Sequence, residues 1–127
     1  MNQFENRIED FNRIERELKI PANCNANHQK KLSDRFDVSF FLGDYNFRLN
    51  FDLITSEILV NGKMYSILLS EDEFLVKSKE LYLDTFTNFK EGKITFGPTY
   101  KIKQEPNLQY QFDESHIPCY TDRILFA

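Results

Sequence analysis

The spacing of apolar residues near the start of the chain predicts a long amphipathic helix. Apolar side chains recur every three or four positions, with charged residues between them, at Phe4, Ile8, Phe11, Ile14 and Leu18. That period gathers them on one face of a helix over residues 4–19, and Pro21 marks its end. Residues 22–35 contain few apolar side chains and predict a surface loop.

Shorter apolar runs predict strands. Residues 38–42 form a nearly continuous apolar run, which is typical of a strand covered on both faces. Strands are also predicted over residues 94–96, after a turn at Glu91-Gly92, and over residues 122–126. Residues 103–115 predict a polar loop. Three strands make a small sheet, so we expect strands outside this chain to complete it.

Between the first two predicted strands, the apolar pattern becomes helical. Residues 52–60 and 64–82 both show this period, with a break at Asn61-Gly62. Helices together with strands of buried character indicate an α/β fold.

Composition narrows the range of functions. The 127-residue chain is 41% hydrophobic, which is enough for a packed core and too much for a disordered chain. Its formal net charge of −4 argues against broad nucleic-acid binding, which usually needs a basic surface. A local basic pocket for a phosphorylated small ligand stays compatible with that charge. The polar N-terminus and the lack of an apolar run of about 20 residues favour a cytoplasmic protein.

Candidate chemistry begins at the end of the first predicted strand. Gly43 allows a tight backbone turn there. If the following residues are extended, Asp44, Asn46 and Arg48 face the same side, because alternate side chains of a strand share a face. A carboxylate, an amide and a guanidinium on one side suit an oriented water and a bound phosphate. The alternative is an ordinary Gly-Asp turn followed by a surface arginine.

Two further runs place polar groups beside predicted strands. Asp122 and Arg123 start the last strand, and open α/β sheets bind ligands at strand ends. The alternative there is a plain ion pair. Tyr100 and Lys101 follow Gly97-Pro98 and offer a hydroxyl and an ammonium group to a phosphate. The alternative there is a turn that faces solvent.

Together, and in this order, the three runs resemble the inositol polyphosphate 5-phosphatase family. Residues 41–48, F-L-G-D-Y-N-F-R, are similar to its W-x-G-D-x-N-(F/Y)-R signature, with Phe41 in place of Trp. Residues 118–125, P-C-Y-T-D-R-I-L, resemble its second signature, P-(A/S)-(W/Y)-(C/T)-D-R-(I/V)-L. Residues 91–101 are similar to its E-G-x-I-x-F-x-P-T-Y-K run. The resemblance covers nearly the whole chain.

The resemblance implies a fold, a reaction and partners. The fold is the two-sheet α/β sandwich of DNase-I-like enzymes, of which residues 1–127 would form a part. The reaction is Mg²⁺-dependent hydrolysis of the 5-phosphate of inositol polyphosphates or phosphoinositides. The implied partner is an inositol phosphate or phosphoinositide head group and not a nucleic acid. Peripheral contact with the cytosolic face of membranes is an option for the parent protein.

The resemblance also implies roles for individual residues. Asp44 would activate or position the attacking water, Asn46 would hold that water or the scissile phosphate, and Asp122 would orient a catalytic histidine. The residues implied to bind substrate are Arg48, Tyr100, Lys101 and Arg123. Within that set, the Tyr-Lys pair would contact the neighbouring 4-phosphate.

Parts of the family pattern do not occur in these residues. The family has a metal-binding Glu well upstream of the first signature and a Ser-Asp-His motif downstream of the second, and neither is present. Glu114 and His116 stand where the family often has Lys and Arg, which should weaken 4-phosphate binding. We therefore expect a part of a catalytic domain, with little activity of its own.

Two other functions fit the same sequence. One is a non-catalytic, degenerate phosphoinositide-binding domain. The other is a nuclease of the same superfold, since a fold does not determine a function. The Pro-Thr-Tyr-Lys run and a pI of about 5.2 argue against the nuclease.

Overall fold

The computed structural model describes residues 3–19, 30–80, 83–103, 111–113 and 115–127. Contacts divide them into two compact units. The first consists of the described residues within Met1–Leu42, Leu83–Gly92 and Ile124–Ala127, and the second of those within Gly43–Tyr82 and Lys93–Arg123. Our predictions for Pro21, residues 22–29 and Glu114 lie outside the described residues. That residues 1–127 belong to one domain stays a prediction.

Along the described chain, a first helix and a first strand are followed by four helices and then by four strands. The helices are α1 (Gln3–Glu17), α2 (Leu53–Asn61), α3 (Tyr65–Ser70), α4 (Glu73–Glu80) and α5 (Leu83–Phe86), with a 3₁₀ turn at Leu32–Asp34. The strands are β1 (Phe40–Asp44), β2 (Lys90–Glu91), β3 (Ile102–Lys103), β4 (Gln111–Phe112) and β5 (Asp122–Phe126). None of these described helices is long and apolar enough to cross a bilayer.

Strand β5 lies at the centre of a three-stranded sheet with the order β1-β5-β2. Ser39, just before β1, exchanges both backbone hydrogen bonds with Ala127 at 2.9 Å, so β1 and β5 are antiparallel. On the other side, Lys90 of β2 pairs with Phe126. The predicted strand over residues 122–126 is therefore confirmed.

Helix α1 confirms the first predicted element and packs in the first unit. Phe4, Ile8 and Phe11 are buried on one face. The ring of Phe11 lies 4.6 Å from the rings of both Phe41 and Phe86, so the helix contacts β1 and α5 through aromatic side chains.

The last turn of α1 departs from the predicted stripe. Ile14 and Leu18 are 40% and 49% exposed, although their spacing placed them on the buried face. Glu15 is buried there instead, and its carboxylate accepts a 2.7 Å hydrogen bond from the Ser33 hydroxyl. A polar contact with the 3₁₀ turn therefore replaces the apolar one.

Among the described residues, strand β1 is covered on one face only, so the predicted cover on both faces is not met within them. Val38, Phe40 and Leu42 are 61%, 66% and 68% exposed, whereas Phe41 packs towards α1. Side chains of a strand alternate between faces, and the described residues do not cover the second face of β1. Ile124 of β5 is also 59% exposed. We call Val38, Phe40, Leu42 and Ile124 the apolar sheet face.

The second unit has its own core, to which helices α2 and α3 contribute side chains. The buried members of this core are Leu49, Leu59, Leu68, Cys119 and Tyr120. The carboxylate of Asp52 accepts a 2.9 Å hydrogen bond from the backbone N–H of Thr55 and so caps α2. The helical region predicted over 64–82 divides into α3 and α4, because Asp72 accepts from the Leu75 N–H at 3.1 Å and starts a new helix.

Two local predictions were wrong, and one helix was not predicted. Residues 94–96 form no strand; Ile94 packs on the core instead, and the carbonyl of Phe96 accepts a 3.0 Å hydrogen bond from the Tyr120 hydroxyl. The strand lies just before them, at β2. The loop predicted over 103–115 includes β4 and the last residue of β3, and α5 was not predicted. Two-residue strands and a one-turn helix leave too little periodicity to detect.

Candidate active site

The two signature motifs meet on neighbouring strands, at the end of β1 and the start of β5. The backbone N–H of Tyr45 donates to the Thr121 carbonyl at 2.8 Å. In an antiparallel pair this bond places Asp44 directly opposite Asp122, in the non-hydrogen-bonded arrangement that brings Cα atoms to about 4.5 Å. Both aspartates are exposed. Their predicted convergence is confirmed, while their catalytic roles stay predictions.

Asn46 and Arg48 are joined to the same exposed group. The backbone N–H of Asn46 donates to the Asp44 carboxylate at 2.7 Å. The Arg48 guanidinium donates from Nη2 to the amide oxygen of Asn46. A carboxylate, an amide and a guanidinium therefore form one hydrogen-bonded row beside Asp122.

This segment is not a regular extension of β1, although its side chains alternate as predicted. Asn46 has φ 55°, a left-handed conformation that Asn tolerates better than most residues. Gly43 has φ 143°, where any other residue would be strained. Asp44 and Asn46 still face solvent, while Phe47 is buried in the second unit. The polar row is therefore formed by a backbone with two positive φ angles, at Gly43 and Asn46, and not by a regular strand.

Tyr100 and Lys101 lie beside this row. Tyr100 and Cys119 exchange two backbone hydrogen bonds at 3.1 and 2.8 Å, which attach the third motif to the second signature. The guanidinium carbon of Arg48 lies 4.8 Å from the centre of the Tyr100 ring, within cation–π distance. The ammonium of Lys101 lies 3.6 Å from the Asp113 carboxylate. Tyr100 therefore lies against Arg48, and Lys101 follows it in the chain.

Arg123 is the exception among the predicted substrate-binding residues. Strand alternation turns it away from Asp122 and into the unit. Its Nη1 donates to both carboxylate oxygens of Asp72 at 2.9 and 3.0 Å, and both side chains are at most 1% exposed. The guanidinium carbon also lies 5.2 Å from the Phe74 ring centre. The structure does not support a substrate contact for Arg123 and gives it a packing role instead.

Two residues of this region were not singled out by their sequence. Asp72 both starts α4 and pairs with Arg123, but nothing in the run Ser70 to Glu73 distinguishes it from its acidic neighbours. Asp113 accepts hydrogen bonds from the Ser115 backbone and hydroxyl at 2.9 and 2.6 Å. These bonds hold the pKa of Asp113 well below its usual range. An Asp-x-Ser turn was the available signal.

The described residues do not form a complete metal site. No group of three or more His, Cys, Asp and Glu side chains among them could hold a metal ion. Cys119 is buried and burial raises its pKa, so its thiol is not a ready ligand either. Asp44 and Asp122 together supply only two carboxylates, one fewer than such a group needs.

Comparisons with known proteins agree with the motifs. The whole chain, residues 1–127, matches the family described as Endonuclease/Exonuclease/phosphatase family 2. Synaptojanin from Caenorhabditis elegans is 32% identical over 98% of this chain. Type IV inositol polyphosphate 5-phosphatase 9 from Arabidopsis thaliana is 29% identical over 94%. The chain spans only 10% and 30% of these two relatives.

Solved structures show the fold. The inositol polyphosphate 5-phosphatase domain of SPsynaptojanin matches 98% of this chain with a TM-score of 0.75 at 22% identity, and the chain covers 34% of it. A Cimex nitrophorin matches 86% of the chain with a TM-score of 0.62 at 29% identity, and the chain covers 39% of it. The predicted fold, a part of the two-sheet α/β sandwich of DNase-I-like enzymes, is confirmed. The chain therefore belongs to endonuclease/exonuclease/phosphatase family 2, and its resemblance to the inositol polyphosphate 5-phosphatases is confirmed.

Proposed function

We propose that this chain supplies part of the active site of an inositol polyphosphate 5-phosphatase. The reaction is hydrolysis of the 5-phosphate of an inositol polyphosphate or a phosphoinositide. The observation that supports it most is the exposed pair Asp44 and Asp122, with Asn46 and Arg48 in one hydrogen-bonded row beside it. The named relatives include synaptojanin and a 5-phosphatase.

The residues of the row suit different tasks in this reaction. Asp44 is an exposed carboxylate that can accept a proton from the attacking water. Asn46 can orient that water or a phosphate oxygen, and Arg48 offers a planar pair of donors to the phosphate. For Asp122, we propose that it orients a histidine supplied from outside the described residues.

A divalent metal belongs to this proposal only for the assembled domain. The solved SPsynaptojanin domain is in complex with inositol (1,4)-bisphosphate and a calcium ion. We propose that the parent domain uses Mg²⁺, which would neutralise charge on the phosphate. The described residues contain no cluster of three metal ligands. The tasks proposed for Asp44, Asn46 and Arg48 are therefore described only towards the water and the phosphate.

A non-catalytic binding domain is the second candidate. The Cimex nitrophorin shares this fold and was solved as a ferrous NO complex, so the fold also serves ligand binding. In such a domain, the polar row would bind a phosphorylated head group without cleaving it.

A chimera separates the two functions. The chain would replace the matching third of the SPsynaptojanin phosphatase domain, and phosphate release from phosphatidylinositol 4,5-bisphosphate would be measured with Mg²⁺. We expect hydrolysis that Asp44→Asn lowers about 100-fold, while Asp37→Asn, an exposed charge in the first unit, changes little. A folded chimera that binds the head group without releasing phosphate supports the second candidate. One that does neither contradicts both.

We also propose a cytoplasmic location, with contact at the cytosolic face of membranes when the substrate is a lipid. The proposed reaction supports the membrane contact, because a phosphoinositide substrate lies in a membrane. Imaging of a fluorescent fusion checks it, and a luminal or secreted signal would contradict it.

A further inference from the structure

Lys101, the cation that the family resemblance assigns to the 4-phosphate, already has an anion. The β3-β4 register pairs Ile102 with Phe112, so the next position places Asp113 opposite Lys101. The Asp113 backbone N–H donates to the Lys101 carbonyl at 2.9 Å, and the two side chains form an ion pair at 3.6 Å. This contact follows from strand register, which motif matching does not reveal.

Asp113 is held in place from its other side. The Ser115 hydroxyl and N–H both donate to Asp113 Oδ1, at 2.6 and 2.9 Å, and this turn keeps the carboxylate oriented. An aspartate is negatively charged at neutral pH, and the lowered pKa of Asp113 extends that charge into more acid conditions. Its Oδ2 is directed to Lys101 and also lies 3.4 Å from Nδ1 of His116.

His116 is engaged by the same group. Its Nδ1 lies 2.8 Å from the Ser115 hydroxyl, and its ring packs edge-on against Tyr100 at 5.7 Å. Both candidate cations next to Tyr100 are therefore within reach of one fixed carboxylate. A substrate phosphate placed there must displace that carboxylate or tolerate its charge, and like charges repel.

We propose that Asp113 is a specificity-determining residue that disfavours a second phosphate beside Tyr100 and Lys101. This inference rests on the proposed function and concerns its substrate preference: a phosphate next to the one removed adds little to binding, so inositol phosphates and phosphoinositides with and without it are accepted alike. Asp113 acts by occupying Lys101 rather than by touching the reacting phosphate.

Two probes that differ by one phosphate test this. Dissociation constants of the 127-residue chain for inositol 1-phosphate and inositol 1,4-bisphosphate would be measured by NMR titration. For the wild type we expect little preference for the bisphosphate. Asp113→Asn keeps the Oδ1 acceptor for Ser115 and removes the charge, so we expect its preference for the bisphosphate to rise about fivefold.

Two further variants assign the effect. Lys101→Ala in the Asp113→Asn background should abolish the gain, because the freed ammonium group produces it. Asp37→Asn removes the same charge in the first unit and should leave the preference unchanged. Thermal unfolding shows whether each variant stays folded.

The outcomes distinguish this inference from the proposed function. A wild type that binds the bisphosphate with an unchanged preference in Asp113→Asn overturns the role of Asp113 and leaves the proposed function intact. A folded wild type and Asp113→Asn that bind neither probe overturn head-group binding and this inference together. An equal gain in Asp37→Asn also overturns it, because the effect would then be one of net charge.

Discussion

Asp44 and Asp122 face each other across β1 and β5, and both carboxylates are open to solvent. Two like charges directly opposite one another on a sheet destabilise the folded state. Such an arrangement lowers the free energy of unfolding. Functional sites often accept this loss of stability, because the charges are needed for binding or catalysis.

Removing one of these charges should therefore stabilise the chain. We expect Asp122→Asn to raise the free energy of unfolding by about 0.2–1 kcal/mol at neutral pH. Urea unfolding checks this. In the Asp44→Asn background the same substitution should have no such effect, because the repulsion is already gone. A stabilisation of equal size in both backgrounds would contradict the cross-strand contact.

The buried pair of Arg123 and Asp72 should dominate the stability of the second unit. We expect Asp72→Ala to lower the free energy of unfolding by about 3–5 kcal/mol, because it leaves the buried guanidinium without its partner. Asp72→Asn keeps an oxygen for the Leu75 N–H and so separates the helix cap from the ion pair. If both variants unfold like the wild type, Arg123 is not a packing residue.

The isolated chain should show no appreciable Mg²⁺-dependent phosphatase activity. The described residues contain no cluster of three or more metal-binding side chains, and the family's upstream Glu and downstream Ser-Asp-His motif are not in the sequence. Phosphate release from phosphatidylinositol 4,5-bisphosphate measures this with malachite green. Release well above that of a boiled control would contradict the expectation.

The apolar sheet face should make the isolated chain self-associate. Phe40 and Leu42 are 66% and 68% exposed on the same side of β1, and apolar patches of this kind promote association. Light scattering should show an apparent mass that rises with concentration and falls in Leu42→Lys. Ile54→Lys, at an equally exposed position of α2, is the matched control and should have a smaller effect. A monomer that unfolds cooperatively above about 60 °C would contradict the prediction.

The pKa of Asp113 should depend on Ser115. Hydrogen bonds from Ser115 lower that pKa below the ordinary 3.8. A lowered folded-state pKa contributes stability above the unfolded-state value and loses it as the pH falls through the folded-state value. We expect Ser115→Ala to move the carboxyl titration, followed by NMR, up towards 3.8. The stability that Asp113 contributes should then be lost at a higher pH on acidification. An unchanged titration would mean that a group other than Ser115 lowers the pKa of Asp113.

The sequence alone determined the family, the amphipathic α1, the last strand and the polar residues at the strand ends. These depend on local periodicity and on short motifs whose residues are adjacent in the chain. The left-handed Asn46 did not prevent the predicted polar row, because the alternation of buried and exposed side chains survived it.

Tertiary structure decided which of those polar residues face solvent and which are already paired. Arg123 and Asp122 are neighbours in the motif, yet strand alternation buries the first against Asp72 and exposes the second. Lys101 lies opposite Asp113 because of the β3-β4 register. The described residues leave one face of β1 exposed to solvent. Such contacts join distant positions, and local pattern contains no information about them.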